Sequence, residues 1–132
     1  RVREVALPLS EIVTMPVGAT PADIEQAVRE RGFSRYVVTD AEGQPSGYVH
    51  IKDVLGADDD EAAQPVPAKR IRQLASIYQE AEVEDALALM RSTGAHIARS
   101  FDANGDTTGL LFLEDIIEEL VGEVRDATRR LF

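Results

Sequence analysis

Gly32-Phe33-Ser34-Arg35-Tyr36-Val37-Val38-Thr39-Asp40-Ala41-Glu42-Gly43-Gln44-Pro45-Ser46-Gly47-Tyr48-Val49-His50-Ile51-Lys52-Asp53 lies without a gap over Gly94-Ala95-His96-Ile97-Ala98-Arg99-Ser100-Phe101-Asp102-Ala103-Asn104-Gly105-Asp106-Thr107-Thr108-Gly109-Leu110-Leu111-Phe112-Leu113-Glu114-Asp115, at a constant offset of 62 residues. Gly32/Gly94, Asp40/Asp102, Ala41/Ala103, Gly43/Gly105, Gly47/Gly109 and Asp53/Asp115 are identical. The glycines carry most weight, because each can mark a helix end or turn that needs positive φ, and all recur in one frame. Upstream the register holds at Ala19/Ala81, Asp23/Asp85 and Arg29/Arg91. The chain is therefore read as a duplication: residues 1–62 with a linker, then residues 63–132 with a C-terminal helix.

Each copy predicts strand, helix, strand, turn, strand, helix. In the first, Glu11-Ile12-Val13-Thr14-Met15 is a short strand and Thr20-Pro21-Ala22-Asp23 opens a helix. Thr20 can cap it, Pro21 suits its first turn and Asp23 complements the dipole. Ile24, Ala27 and Val28 form a buried face, and Gly32 is a natural stop. Tyr36 to Thr39 and Gly47 to Ile51 are strands around a Gly- and Pro-containing turn, and a second helix is expected near Lys52. The second copy repeats the plan, with Val83, Ala86, Leu87 and Met90 on its first helix and a hairpin turn at Asp102 to Asp106. Its last helix, from about Glu114, carries Ile116, Ile117, Leu120, Val121 and Val124 on one side, and Arg125, Arg129 and Arg130 toward its end. Residues 56–69 read as a polar linker; its run Asp58-Asp59-Asp60-Glu61 is taken as solvated, since adjacent carboxylates on flexible backbone do not make a cation cage.

Composition narrows the function. The chain has 132 residues, 44% hydrophobic and 29% charged, as in a soluble globular domain. It contains no apolar run near the roughly 18 residues that span a bilayer, and nothing at its start reads as a signal peptide. Beginning at Arg1 without Met, it is expected to be a piece of a longer protein. A net charge of −10 repels phosphate backbones, which argues against a nucleic-acid partner. The absence of cysteine removes disulfides, thiolate metal sites and a Cys nucleophile. There is no Gly-x-Ser-x-Gly elbow, Gly-rich phosphate loop or Cys/His pair, so no enzyme is expected. His50 and His96 lack metal-ligand spacing and are read as structural.

The order β-α-β-β-α twice over, with Gly32 to Val38 and Gly47 to Asp53, resembles a CBS domain, and two in tandem resemble a Bateman module. Gly109-Leu110-Leu111-Phe112-Leu113-Glu114-Asp115-Ile116-Ile117-Glu118-Glu119-Leu120-Val121-Gly122-Glu123 is similar to the signature of the CorC/hemolysin-related group and its cyclin-M relatives. The resemblance implies an α/β (α+β) pair of repeats related by a pseudo-twofold. It also implies a soluble module on the cytoplasmic face of the membrane, attached to an N-terminal transmembrane domain associated with Mg²⁺ or Co²⁺ efflux. Such pairs hold an adenine nucleotide between the repeats, here ATP or a relative such as AMP, with Mg²⁺ carried by the nucleotide.

Carried over by residue, one cleft uses Ile12, Ser34, Arg35 and Tyr36 with Phe112 and Asp115, and it resembles the family's ATP cleft. The other uses Ile77, His96, Ile97 and Ala98 with His50 and Asp53. An aspartate in the first turn after a strand can accept hydrogen bonds from vicinal ribose hydroxyls, while a helix N-terminus faces phosphate; it can equally just complement the dipole. The sequence departs from the family pattern in four places. Val37 and Arg99 replace the proline of the second strand, Ala6-Leu7-Pro8-Leu9 lacks the arginine of Met-Val-Pro-Arg, and Phe112 stands where the family has Thr. Phe112 favours an alternative, a ligand-free dimerisation module. A homodimer is expected in either case, through the Ile116/Leu120 and Ile117/Val121/Val124 ridges.

Overall fold

The computed structural model describes the backbone of residues 1–130 and the side chains of residues 1–125. Arg129 and Arg130 therefore lie outside the side chains described. Along the chain run α1 (Val2–Val5), β1 (Thr14–Pro16), α2 (Pro21–Arg31), β2 (Arg35–Thr39), β3 (Pro45–His50), α3 (Asp59–Ala62), β4 (Ala75–Tyr78), α4 (Val83–Thr93), β5 (Ile97–Phe101), β6 (Thr107–Phe112) and α5 (Leu113–Arg130). The fold is mixed α/β with two three-stranded sheets, ordered β1-β2-β3 and β4-β5-β6. In each, the first pair is parallel and the second antiparallel, as a strand-helix-strand crossover followed by a hairpin requires.

Packing groups the chain into one unit of residues 13–73 and another of residues 1–12 with 74–132. The packing units thus divide the chain differently from the sequence repeats in two respects: residues 63–73 fold with the first copy, and the first dozen residues fold with the second. Val2 is fully buried there, its N–H donates to Ala81 O at 2.8 Å, and Arg3 N–H donates to Gln79 O at 2.9 Å. Val2 joins Ala75, Ile77, Val83, Ala86, Met90, Leu111 and Ile116 in that unit's core. The core of the 13–73 unit is Ile24, Tyr36, Val38, Val49, Val54 and Val66. Each side chain of this size contributes about 1.5–3 kcal/mol when fully buried.

Local chemistry explains most boundaries. Thr20 Oγ1 accepts the Asp23 N–H at 3.1 Å while Asp23 accepts the Thr20 N–H at 2.9 Å, a capping box. Gly32 and Gly94 close α2 and α4 in the left-handed region, at φ 76° and 74°. The matching turns follow from Asp40 and Asp102, whose Oδ1 atoms each accept two backbone N–H groups two and four residues on. Gly43 and Gly105 supply the positive φ those turns need.

Several expectations are corrected. The strand anticipated at Glu11 to Met15 begins only at Thr14, because Leu9–Glu11 forms a 3-10 turn behind Pro8. The helix anticipated near Lys52 is a single 3-10 turn, Ile51–Asp53; Gly56, at φ 79°, then redirects the chain, and Asp58 caps the four-residue α3. The linker is not merely polar, since Val66 is buried and its N–H donates to Ala19 O at 3.0 Å. Ile116 does not belong to an exposed ridge: it is 1% exposed in the core, with Leu120 packed against that core. Ile117, Val121 and Val124 do remain exposed, at 42%, 45% and 66%.

Candidate functional site

The two copies of the Gly-to-Asp junction share one backbone scaffold. Each is closed by an equivalent hydrogen bond, Ile51 N–H to Ser34 O at 2.9 Å and Leu113 N–H to His96 O at 3.0 Å. Each is also crossed by a lead-in segment that pairs antiparallel with its last strand. Arg72 exchanges backbone hydrogen bonds of 2.8 and 3.0 Å with Tyr48, and Leu7 exchanges 2.8 and 2.9 Å bonds with Leu110. Tyr48 and Leu110 are equivalent in the repeat, so Arg72 and Leu7 are equivalent too.

That crossing accounts for Gly47 and Gly109, which lack the positive φ expected of them. A Cβ on Gly47 would sit 2.6 Å from Ile71 Cγ2 and 2.8 Å from Arg72 O; one on Gly109 would sit 2.8 Å from Leu7 O. The glycine is needed for close backbone approach rather than for its dihedral freedom.

The side chains then diverge. In the 13–73 unit Asp53 Oδ2 accepts the His50 N–H and Arg72 Nε, each at 2.9 Å, and Oδ1 accepts Arg72 Nη2 at 2.9 Å. This two-pronged guanidinium contact holds the Asp53 carboxyl below the usual aspartate range; partial burial opposes the shift and the His50 N–H adds to it. His50 Nδ1 accepts the Lys52 N–H at 3.0 Å. Burial lowers the His50 pKa, helped by the positive charges of Arg35, Arg72 and Lys52 and opposed by Asp53. Arg35 is the cross-strand partner of His50. Tyr36 is buried, its hydroxyl accepting the Phe33 N–H at 3.2 Å, and Ser34 is exposed before β2.

In the other unit Asp115 occupies the first turn of α5, exposed, and among the described residues has no hydrogen-bond or ion-pair partner. Its equivalent clamp position holds Leu7, which cannot donate. Phe112 takes the place of His50 and pairs across strands with Ile97. Ile97 and Ala98 are fully buried, while Ile77 and Ala98 contribute to the core. His96 lends its carbonyl to the junction, and Ile12 lies half-buried ahead of β1. Arg99 is held on its sheet: Nη1 donates to Thr107 Oγ1 at 2.8 Å, Nε to Ser76 Oγ at 3.2 Å, and the guanidinium lies 5.3 Å from the Phe101 ring centroid.

The structure therefore gathers Arg35, His50 and Asp53 in one unit and Phe112, Ile97 and Asp115 in the other. Arg72 went unnoticed in the sequence; the alignment of the lead-in segments, which need three more residues than the rest of the repeat, was the signal that could have found it. Among the described residues no helix is long and apolar enough to cross a membrane.

Comparison with known proteins agrees with this architecture. A CBS domain family model matches residues 2–60. An uncharacterized protein of Mycobacterium tuberculosis (strain H37Rv) is 38% identical over 134 residues, covering 98% of this chain and 39% of the relative. The magnesium and cobalt efflux protein CorC of Escherichia coli (strain K12) is 29% identical over 127 residues, covering 96% of this chain and 44% of its own length. The chain thus spans less than half of either relative. The solved CBS domain of a bacterial CNNM/CorC family Mg²⁺ transporter in complex with ATP superposes with a TM-score of 0.81 at 31% identity, covering 92% of this chain and 87% of that one. With duplicated junctions, two three-stranded sheets and these relatives in agreement, the chain belongs to the CBS-domain family, in its CorC/hemolysin-like branch.

Proposed function

We propose that this chain is a non-enzymatic regulatory module that binds an adenine nucleotide, ATP with Mg²⁺ on its phosphates, and controls a membrane-embedded ion-efflux domain of the same polypeptide from the cytoplasmic face. The observation that carries the reading is the exposed carboxylate of Asp115, without a partner among the described residues, in the first turn of an 18-residue helix. It offers acceptors for a vicinal diol beside backbone N–H groups and the positive dipole end. Ser34, Arg35 and Tyr36 complete the proposed contacts, with Arg35 the cation for phosphate, and Ile12 and Phe112 flank the base. His50, Asp53, Ile77, His96, Ile97 and Ala98 form the weaker set. The likeness to a CBS domain solved with ATP supports the choice of ligand. Binding regulates only insofar as the nucleotide prefers one arrangement of the module over another.

Titration of the chain with ATP, ADP and AMP, with and without Mg²⁺, tests this. Phe112→Thr restores a hydroxyl, and one hydrogen bond to a charged group is worth about 1.5–3 kcal/mol, so the affinity for ATP should rise at least about tenfold. Absence of binding at millimolar nucleotide in both proteins would leave the second reading, a ligand-free homodimerisation module. Phe112, which offers no hydroxyl at that position, favours that reading, and the exposed Ile117 and Val121 supply its dimer surface. Under it light scattering shows a dimer that Val121→Asp dissociates.

A further inference from the structure

The duplication makes two aspartates available, and the lead-in segments treat them differently. Arg72 and Leu7 bridge equivalent strand residues, Tyr48 and Leu110, each five positions before its aspartate. At one junction the bridging residue carries a guanidinium fork; at the other it carries an isobutyl group. Building on the nucleotide-sensing reading, we infer that Arg72 is the residue that decides which junction can take a ligand, closing Asp53 to a vicinal diol and leaving Asp115 open.

Acceptor capacity separates the two carboxylates. A carboxylate offers about four lone-pair directions. Asp53 spends one on the His50 N–H and two on the planar fork of Arg72, all at 2.9 Å. A diol needs both oxygens at once, so it must displace the fork, which is the stronger, charge-assisted partner. Arg70 adds to the closure, its Nη1 donating to Asp53 O at 3.2 Å and crowding the same turn. Asp115 keeps its full capacity, because Leu7 has nothing to donate. The residue at this lead-in position is therefore a latch that sets, within each unit, how much of the aspartate's acceptor capacity is left for a ligand.

The test exchanges the latches in the full chain and reads stoichiometry by calorimetric titration with ATP·Mg²⁺ and with AMP. Wild type is expected to bind one equivalent, Arg72→Leu two, and Arg72→Leu with Asp53→Asn one again. Leu7→Arg is expected to lose the wild-type equivalent. Arg72→Gln, which keeps the backbone bridge and a polar surface, serves if Arg72→Leu does not fold. A rise in the Asp53 pKa, followed by NMR, verifies that the latch has opened. An opened latch with no added equivalent overturns the inference, as does weaker binding on removing Arg72, which would make Arg72 a ligand contact. If wild type binds nothing, the nucleotide reading of Asp115 fails; Arg72→Leu then still supports the latch by gaining one equivalent that Asp53→Asn removes, and overturns it by gaining none.

Discussion

Asp53 and Asp115 stand at the same point of two copies of one backbone, yet one is held by three hydrogen bonds and the other by none among the described residues. The shared parts are backbone parts: the junction-closing hydrogen bond, the crossing segment, the glycine beneath it and the Asp-Gly turn. The differing parts are side chains, Arg72 against Leu7 and His50 against Phe112, and what the junction leads into, a single 3-10 turn at Ile51–Asp53 against the helix α5. Asp53 is taken up by contacts within its own unit, while Asp115 stays exposed.

The largest expected effect falls on the shared part. Gly47→Ala and Gly109→Ala each place a methyl group within 2.8 Å of a backbone carbonyl oxygen. Each should cost about 2–3 kcal/mol, read as a lowered urea midpoint. An unchanged midpoint for either would mean that the crossing is not a fixed part of the fold. Gly43→Ala strains positive φ but meets no neighbour, so it should cost less.

A smaller effect separates the copies. Arg72→Leu leaves a half-buried Asp53 with one partner, and because Arg72 is 46% exposed the loss is about 1–2 kcal/mol rather than that of a buried pair. Leu7→Ala, at the equivalent position and 37% exposed, should cost less than about 1 kcal/mol. Equal costs would erase the distinction drawn between the junctions.

The smallest effect is on acid response. Both His50 and Asp53 have depressed values, so each contributes stability that is complete above its unfolded value and lost as pH falls through its folded one. His50 contributes above about pH 6.5 and loses its share below it; Asp53 contributes above about pH 4 and loses its share below that. His50→Phe, which imports the residue of the other copy, should flatten the stability profile between pH 7 and 5.5, roughly the first of these windows. Urea midpoints across that range check it.

Much of the fold was legible because it is written in local chemistry. Thr20-Pro21 with Gly32, and Asp40 with Gly43, specify their cap and turn within a few residues, and the second copy repeats the glycine stop and the turn, with Glu82-Val83 in the place of Thr20-Pro21. What the sequence concealed is non-local. Arg72 meets Asp53 across 19 residues, and Val2 and Leu7 fold onto the copy farthest from them in the chain. Local reading also misjudged the stretch after Lys52, where helix-compatible residues give way to Gly56 and to an aspartate drawn back toward Arg72. The aspartates of the candidate site were found by repetition, whereas the distinction between them rests on a side-chain contact outside the ungapped repeat, which shows only when the lead-in segments are aligned with three more residues.

The most direct test of that distinction is a paired titration of Asp115→Ala and Asp53→Ala with ATP·Mg²⁺ against wild type. Asp115→Ala is expected to weaken binding at least about tenfold, the cost of a charge-assisted hydrogen bond. Asp53→Ala should stay within about twofold while lowering the urea midpoint. Loss of binding in Asp53→Ala with Asp115→Ala unaffected would contradict that distinction.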